Sequence, residues 1–182
     1  APAETWRPVW RDDERSFTGT FEQGQPDFSV DLMLDASASR LQNQEVIASQ
    51  AYVIAKSLRL CHIPVQIFSF LSLRGYTVMR LHCGYNDKDE DKKIFDYFAA
   101  GWNRDGLALR AARRLMEDSP AKKRILIVLT DASPNDDRRM PSDVHDKHRL
   151  SRDYSGEAGV EDSSMEVHSL QKSGIHVMAV LS

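Results

Sequence analysis

The chain has 182 residues and 41% hydrophobic content, enough to bury an ordinary core without disulfides or a structural metal. Its 24 basic and 27 acidic residues give a formal charge of −3 and are interspersed, which argues against the basic stripe of a nucleic-acid binder or a polybasic membrane patch. No run approaches the ~20 apolar residues of a membrane span, and the N-terminus lacks a charged region followed by an apolar stretch.

Residues 1–26 are polar and end in the turn-like Gly24-Gln25-Pro26-Asp27. Ser16 to Phe21 is a candidate edge strand, and Trp6 and Trp10 are expected to pack back on the domain. The segment reads as an extension preceding a domain over 27–182, and a chain that starts at Ala1 and stops at Ser182 directly after a strand reads as part of a longer protein. Phe28-Ser29-Val30-Asp31-Leu32-Met33-Leu34 is a strand that runs into Asp35-Ala36-Ser37-Ala38-Ser39. A carboxylate followed by hydroxyls at alternate positions on the turn leaving a strand converges small oxygen ligands on one point, as a hard divalent cation requires. Taken singly, Ser37 or Ser39 is equally a helix N-cap and Asp35 a solvated strand-end acid.

Gln44 to Leu60 carries apolar residues at helical spacing, and residues 64–70 and 76–81 read as strands of an antiparallel hairpin turning at Arg74-Gly75. Asn86 to Asp91 alternates acidic groups but lacks the Gly and Glu of a calcium loop; Asp89-Glu90-Asp91 suits a helix start before Ile94, Phe95, Tyr97 and Phe98. Asn103-Arg104-Asp105-Gly106 is a turn before a helix with Leu107, Ala108, Ala111, Ala112 and Leu115 on one face. Ile125 to Leu129 has the continuous aliphatic character of a strand buried on both faces, and it ends in Thr130-Asp131. In open α/β sheets ligands bind outside the carboxyl ends of the strands, so Asp35 and Asp131 can share a pocket.

Residues 136–153 read as a long polar loop, a candidate rim or partner-contact segment. Its His145 and His148 have zinc-like spacing but neither the HExxH order nor a nearby Cys, and are read as surface residues. Gly156 to Lys172 reads as a helix with Glu157 near its start, and Ile175 to Leu181 as the last strand. Cys61 and Cys83 have no Cys-x-x-Cys spacing and are read as buried, reduced thiols of a cytoplasmic protein. The fold class is α/β: doubly wound, with a mostly parallel sheet, one antiparallel edge strand and helices on both faces.

Asp35-x-Ser37-x-Ser39 after a buried first strand, with Asp131 after a second, resembles the metal-ion-dependent adhesion site of von Willebrand factor A domains. Asn103-Arg104-Asp105-Gly106-x-Ala108-Leu109, Leu129-Thr130-Asp131-x-x-Pro134-Asn135-Asp136 and Tyr154-Ser155-Gly156-Glu157-x-Gly159 resemble the A domains of bacterial nitric oxide reductase activation proteins and of the related cobaltochelatase subunit. The resemblance implies Mg²⁺, with Mn²⁺ or Ca²⁺ as substitutes, oxygen-only ligands being selective for hard cations. It implies that Asp35 holds the ion partly through water, that Ser37 and Ser39 ligate directly and that Asp131 stands behind them. Most A domains also use a loop Thr that is absent here; Asp105 stands as its replacement. An acidic residue of a partner protein would fill the open position. A MoxR-like AAA+ ATPase is the implied companion, since no phosphate-binding Gly-x-x-x-x-Gly-Lys loop occurs in this chain. The reading is therefore not an enzyme. A metal-assisted phosphohydrolase would want a second Asp two residues after Asp35, where Ser37 stands, and the remaining alternative is an interaction domain with a vestigial metal site.

Overall fold

In a computed structural model that describes residues 26–87, 91–141 and 151–181, the strand β1 (Phe28–Asp35) runs through the centre of the molecule. It pairs in parallel with β2 (Val65–Leu73) on one side and β4 (Lys123–Thr130) on the other. The antiparallel strand β3 (Tyr76–Cys83) and the parallel strand β7 (Ile175–Leu181) complete a sheet of order β3-β2-β1-β4-β7. Burial on both faces explains the continuous apolar run Ile125–Leu129 of β4, and it leaves even Ser29 and Asp31 of β1 buried.

Helix α1 (Gln44–Leu60) covers one face, its small residues Ala48, Ala51 and Ala55 lying against Val30, Leu32, Leu34 and Ile67. On the other face, α2 (Asp105–Leu115) and α3 (Gly156–Lys172) bring Ala108, Leu109, Ala112 and Leu170 onto Met33, Phe68, Phe70 and Val128. The sheet is thus doubly wound, as the sequence indicates. The β2–β3 turn has positive φ at both Arg74 (53°) and Gly75 (83°), the backbone whose twist suits a tight hairpin.

The structure departs from the sequence reading at several places. Residues 91–96 form a 3₁₀ helix instead of the start of an α-helix. The supposed loop after Asp131 contains two short strands, β5 (Asp136–Met140) and β6 (Arg152–Tyr154), that pair antiparallel as a separate ribbon. Their sequence is charged and lacks period-two apolar alternation, because the buried members are only Asp136 and Tyr154. Cys83 is buried and accepts a hydrogen bond from Arg59 Nη2 at 3.0 Å, but Cys61 is exposed. Ser16 to Phe21, Trp6, Trp10, His145 and His148 lie outside the described residues. Among the described residues no helix is long and apolar enough to cross a membrane.

Candidate metal centre

The carboxyl ends of β1 and β4 lie side by side, which brings together Asp35 and the Thr130-Asp131 pair from opposite halves of the chain. Asp35 is fully buried. Its Oδ1 accepts the backbone N–H of Ser37 at 2.9 Å, and its Oδ2 accepts from Thr130 Oγ1 at 3.2 Å and Asn103 Nδ2 at 3.4 Å. Tyr97 donates its hydroxyl to the Asp35 carbonyl, so both main chain and side chain are fixed. Asp35 is therefore not a solvated acid.

Residues 38–43 form a 3₁₀ helix whose N-cap position is Ser37, yet no side chain caps it. Instead Ser37 Oγ and Ser39 Oγ share a hydrogen bond of 3.0 Å, and Ser39 Oγ donates to Asp131 Oδ2 at 2.7 Å. A row of oxygens thus runs from the Ser37 hydroxyl through that of Ser39 to Asp131, and Asp35 is tied to its start through the Ser37 amide. Asp131 also acts as a turn former, accepting the Ser133 N–H on Oδ1 at 3.1 Å, and it lies 3.3 Å from the buried guanidinium of Arg40. Arg40, Asn103, Thr130 and Tyr97 are supports that the sequence reading did not single out. Asn103 and Thr130 stand within motifs that drew attention to neighbouring carboxylates, and only their convergence in space assigns them roles.

The loop 101–103 is stitched to both sides of the site. Ser72 and Trp102 exchange backbone hydrogen bonds of 2.7 and 2.9 Å, Asn103 and Asn135 exchange bonds of 2.9 and 3.0 Å, and Ala38 N donates to the Gly101 carbonyl at 3.0 Å. Gly101 has φ of 67°, and a Cβ there would stand 2.4 Å from the Ser72 carbonyl oxygen, so the close approach requires glycine. Arg104 turns away from the site to meet Asp136 at 3.4 Å and to stack on the Tyr154 ring at 4.8 Å, which fastens the β5–β6 ribbon to the start of α2. Tyr154 in turn accepts the Gly106 N–H at 3.0 Å. Gly106 lets the Asp162 carboxylate approach α2 so closely that a Cβ would meet it at 1.9 Å. Glu157 is exposed in the first turn of α3, away from these contacts.

Asp105 also reaches the site electrostatically. Burial pushes its carboxyl up to about 8, with the Asp35 and Asp131 carboxylates raising it further and a hydrogen bond from Asn103 opposing them. Asp35 is raised first by burial, opposed by hydrogen bonds from the Ser37 amide and hydroxyl, and raised by Asp131. The Asp105 Oδ1 atom is buried without a hydrogen-bond partner.

This donor set fits a small hard cation: the Ser37 and Ser39 hydroxyls and an Asp131 carboxylate oxygen adjoin one another in one cleft above the buried Asp35. Among the described residues no group of three His, Cys, Asp or Glu side chains could hold an ion, so the hydroxyls of Ser37 and Ser39 are needed to complete one. The cleft above them has a volume of about 160 Å³ and is walled by Trp102, Asn103, Asp131, Ser133 and Asn135.

No family model and no curated protein matches the sequence. Solved structures do share the fold. The D319A mutant of the PilB minor pilin from Streptococcus sanguinis is similar over 92% of this chain and 60% of its own, with 14% identity and a TM-score of 0.62. The pilus adhesin SpaC from Lactobacillus rhamnosus GG in its open conformation matches 83% of this chain at 15% identity and a TM-score of 0.59, over 23% of its own length. The vWF domain of the type V pili tip protein Mfa5 from Porphyromonas gingivalis matches 65% of this chain and 43% of its own, at 15% identity and a TM-score of 0.50. The chain thus spans less than two thirds of each of these proteins, and likeness at this identity is one of fold: the domain has a von Willebrand factor A-like fold.

Proposed function

We propose that this domain is a divalent-cation-dependent protein-interaction module in which a Mg²⁺ ion held at the carboxyl end of the sheet is shared with a carboxylate of a partner protein. The observation that carries the reading is the line of Ser37 Oγ, Ser39 Oγ and Asp131 Oδ2, with Asp35 beneath it accepting the Ser37 amide and the buried Asp105 carboxyl within reach of the Asp35 and Asp131 charges. Ser37 and Ser39 would hold the ion directly, Asp35 and Asp131 through their flanking positions, and Asp105 in place of the loop Thr. A bound cation offsets the repulsion among these carboxylates and adds a charge-assisted contact for an incoming acid. No step of catalysis is required. Asp35 is enclosed by hydrogen bonds from Ser37, Thr130 and Asn103, a poor disposition for a nucleophile.

The motif resemblance extends the reading to a cytoplasmic adaptor beside a MoxR-like AAA+ ATPase, serving activation of a metalloenzyme or metal insertion into one. A second reading, an interaction domain with a vestigial metal site, draws on the Arg40 guanidinium that already compensates Asp131. Calorimetric titration of the chelator-treated chain with Mg²⁺ and Mn²⁺ distinguishes them. One saturable site, lost in Asp35→Ala and weakened in Asp131→Ala, supports the cation-dependent module; no binding in the folded wild type sinks it in favour of the vestigial site.

A further inference from the structure

The rim of the cleft carries one large apolar group. Trp102 is 40% exposed and lines the cleft together with Ser37, Ser39 and Asp131. The backbone that carries it is held on both sides: the Trp102 amide and carbonyl are both bonded to Ser72, its predecessor Gly101 packs against the Ser72 carbonyl, and its successor Asn103 is bonded in both directions to Asn135. The neighbouring Leu73, 47% exposed, extends apolar surface from the end of β2 against Gly101. The fold therefore spends a rigid loop on displaying an indole beside the oxygen row. Such partly desolvated aromatic anchors dominate binding energy at protein interfaces.

Resting on the cation-dependent reading above, we propose that Trp102 is a specificity-determining residue of the interface, selecting partners in which the metal-binding Asp or Glu is flanked by a large apolar side chain. The carboxylate reaches the ion, and the adjacent side chain lies on the indole. An acidic residue in a wholly polar segment gains only the first contact, and an apolar segment without an acid meets a cleft whose floor is polar.

The test is selection of a random peptide library displayed on phage against the full 182-residue chain, in excess Mg²⁺ and in chelator, using wild type, Trp102→Ala, Trp102→Phe and Asp35→Ala. Wild type is expected to enrich, only with Mg²⁺, peptides bearing Asp or Glu next to Leu, Phe, Trp or Met. Trp102→Ala should keep the acid and lose the apolar neighbour, while Trp102→Phe keeps both and Asp35→Ala enriches neither. A peptide synthesised from the wild-type selection should bind Trp102→Ala about tenfold more weakly by fluorescence polarisation, the effect of losing about 1.4 kcal/mol of apolar contact. Thermal melting confirms that the variants are folded. Enrichment of acids without an apolar preference, or a preference unchanged in Trp102→Ala, overturns this inference and leaves the metal-bridged module standing. Absence of any Mg²⁺-dependent acidic enrichment on wild type overturns both.

Discussion

Asp31 offers a direct test of how the interior handles charge. It sits in the middle of β1 with no exposure, and both its oxygens accept from the Tyr85 hydroxyl, at 2.8 and 2.7 Å. Burial pushes its carboxyl from 3.8 up to about 7, against the opposing pull of the Tyr85 hydrogen bond and the positive charge of Arg124. The folded protein thus holds this proton more tightly than the unfolded chain does. The stabilisation is complete below about 3.8 and is lost as the pH climbs through about 7. At roughly 1.4 kcal/mol per pH unit, the loss amounts to about 4 kcal/mol. Asp31→Asn keeps the shape and an acceptor for Tyr85 while removing the ionisation. Guanidinium denaturation at pH 4.5 and at pH 8.5 should find the variant close to wild type in acid and more stable than wild type in base, by up to about 4 kcal/mol. An equal stability difference at the two pH values would refute the reasoning, since it would mean that Asp31 binds its proton equally in the folded and unfolded chain.

Other expectations follow from the site and its surroundings. Gly101→Ala should cost about 2–3 kcal/mol in denaturation experiments, combining a positive φ with a Cβ only 2.4 Å from the Ser72 carbonyl oxygen; a loss under about 0.5 kcal/mol, the scale of an ordinary surface change, would show that the stitched loop is not rigid. Arg40→Gln removes the cation 3.3 Å from Asp131 and should tighten Mg²⁺ binding on the order of tenfold, the scale of one partly buried charge, even as the melting temperature falls; unchanged affinity in calorimetry would place the ion away from Asp131. His82 packs 2.9 Å from Ser69 Oγ, and its pKa is lowered first by burial and then by Arg80. It favours the neutral ring in the fold, so its stabilisation is present above 6.5 and lost as the pH falls through its folded value. An NMR titration should place its midpoint below 6.5, and a midpoint above that would contradict the burial.

Much of the fold was legible because each main element carries its own periodicity. Gln44–Leu60 was bounded from sequence at the residues where the helix begins and ends, and the buried runs of β1 and β4 announced a parallel centre. The β5–β6 ribbon was not legible, because its stability comes from the Arg104 contacts to Asp136 and Tyr154 across the chain rather than from any pattern within it. Strand-end logic alone set Asp35 and Asp131 side by side, and the cleft is lined by Ser37, Ser39 and Asp131 with Asp35 buried beneath. Arg40, by contrast, looks like any surface arginine until the turn of 3₁₀ helix after Ser37 swings it inward to Asp131. Asp105 drew attention in the sequence only through a missing loop hydroxyl, and its unpartnered oxygen is a property of packing that has no signature in sequence.

The bond between Thr130 and Asp35 joins residues 95 apart, and the Ser39 contact to Asp131 spans 92. Closing loops of that length carries an entropic cost recovered only once β1 and β4 have paired, so these contacts depend on that pairing. A chain from which β4 has not yet emerged during synthesis lacks Asp131 and so half of this site. This face therefore exists only once both halves of the domain have found each other.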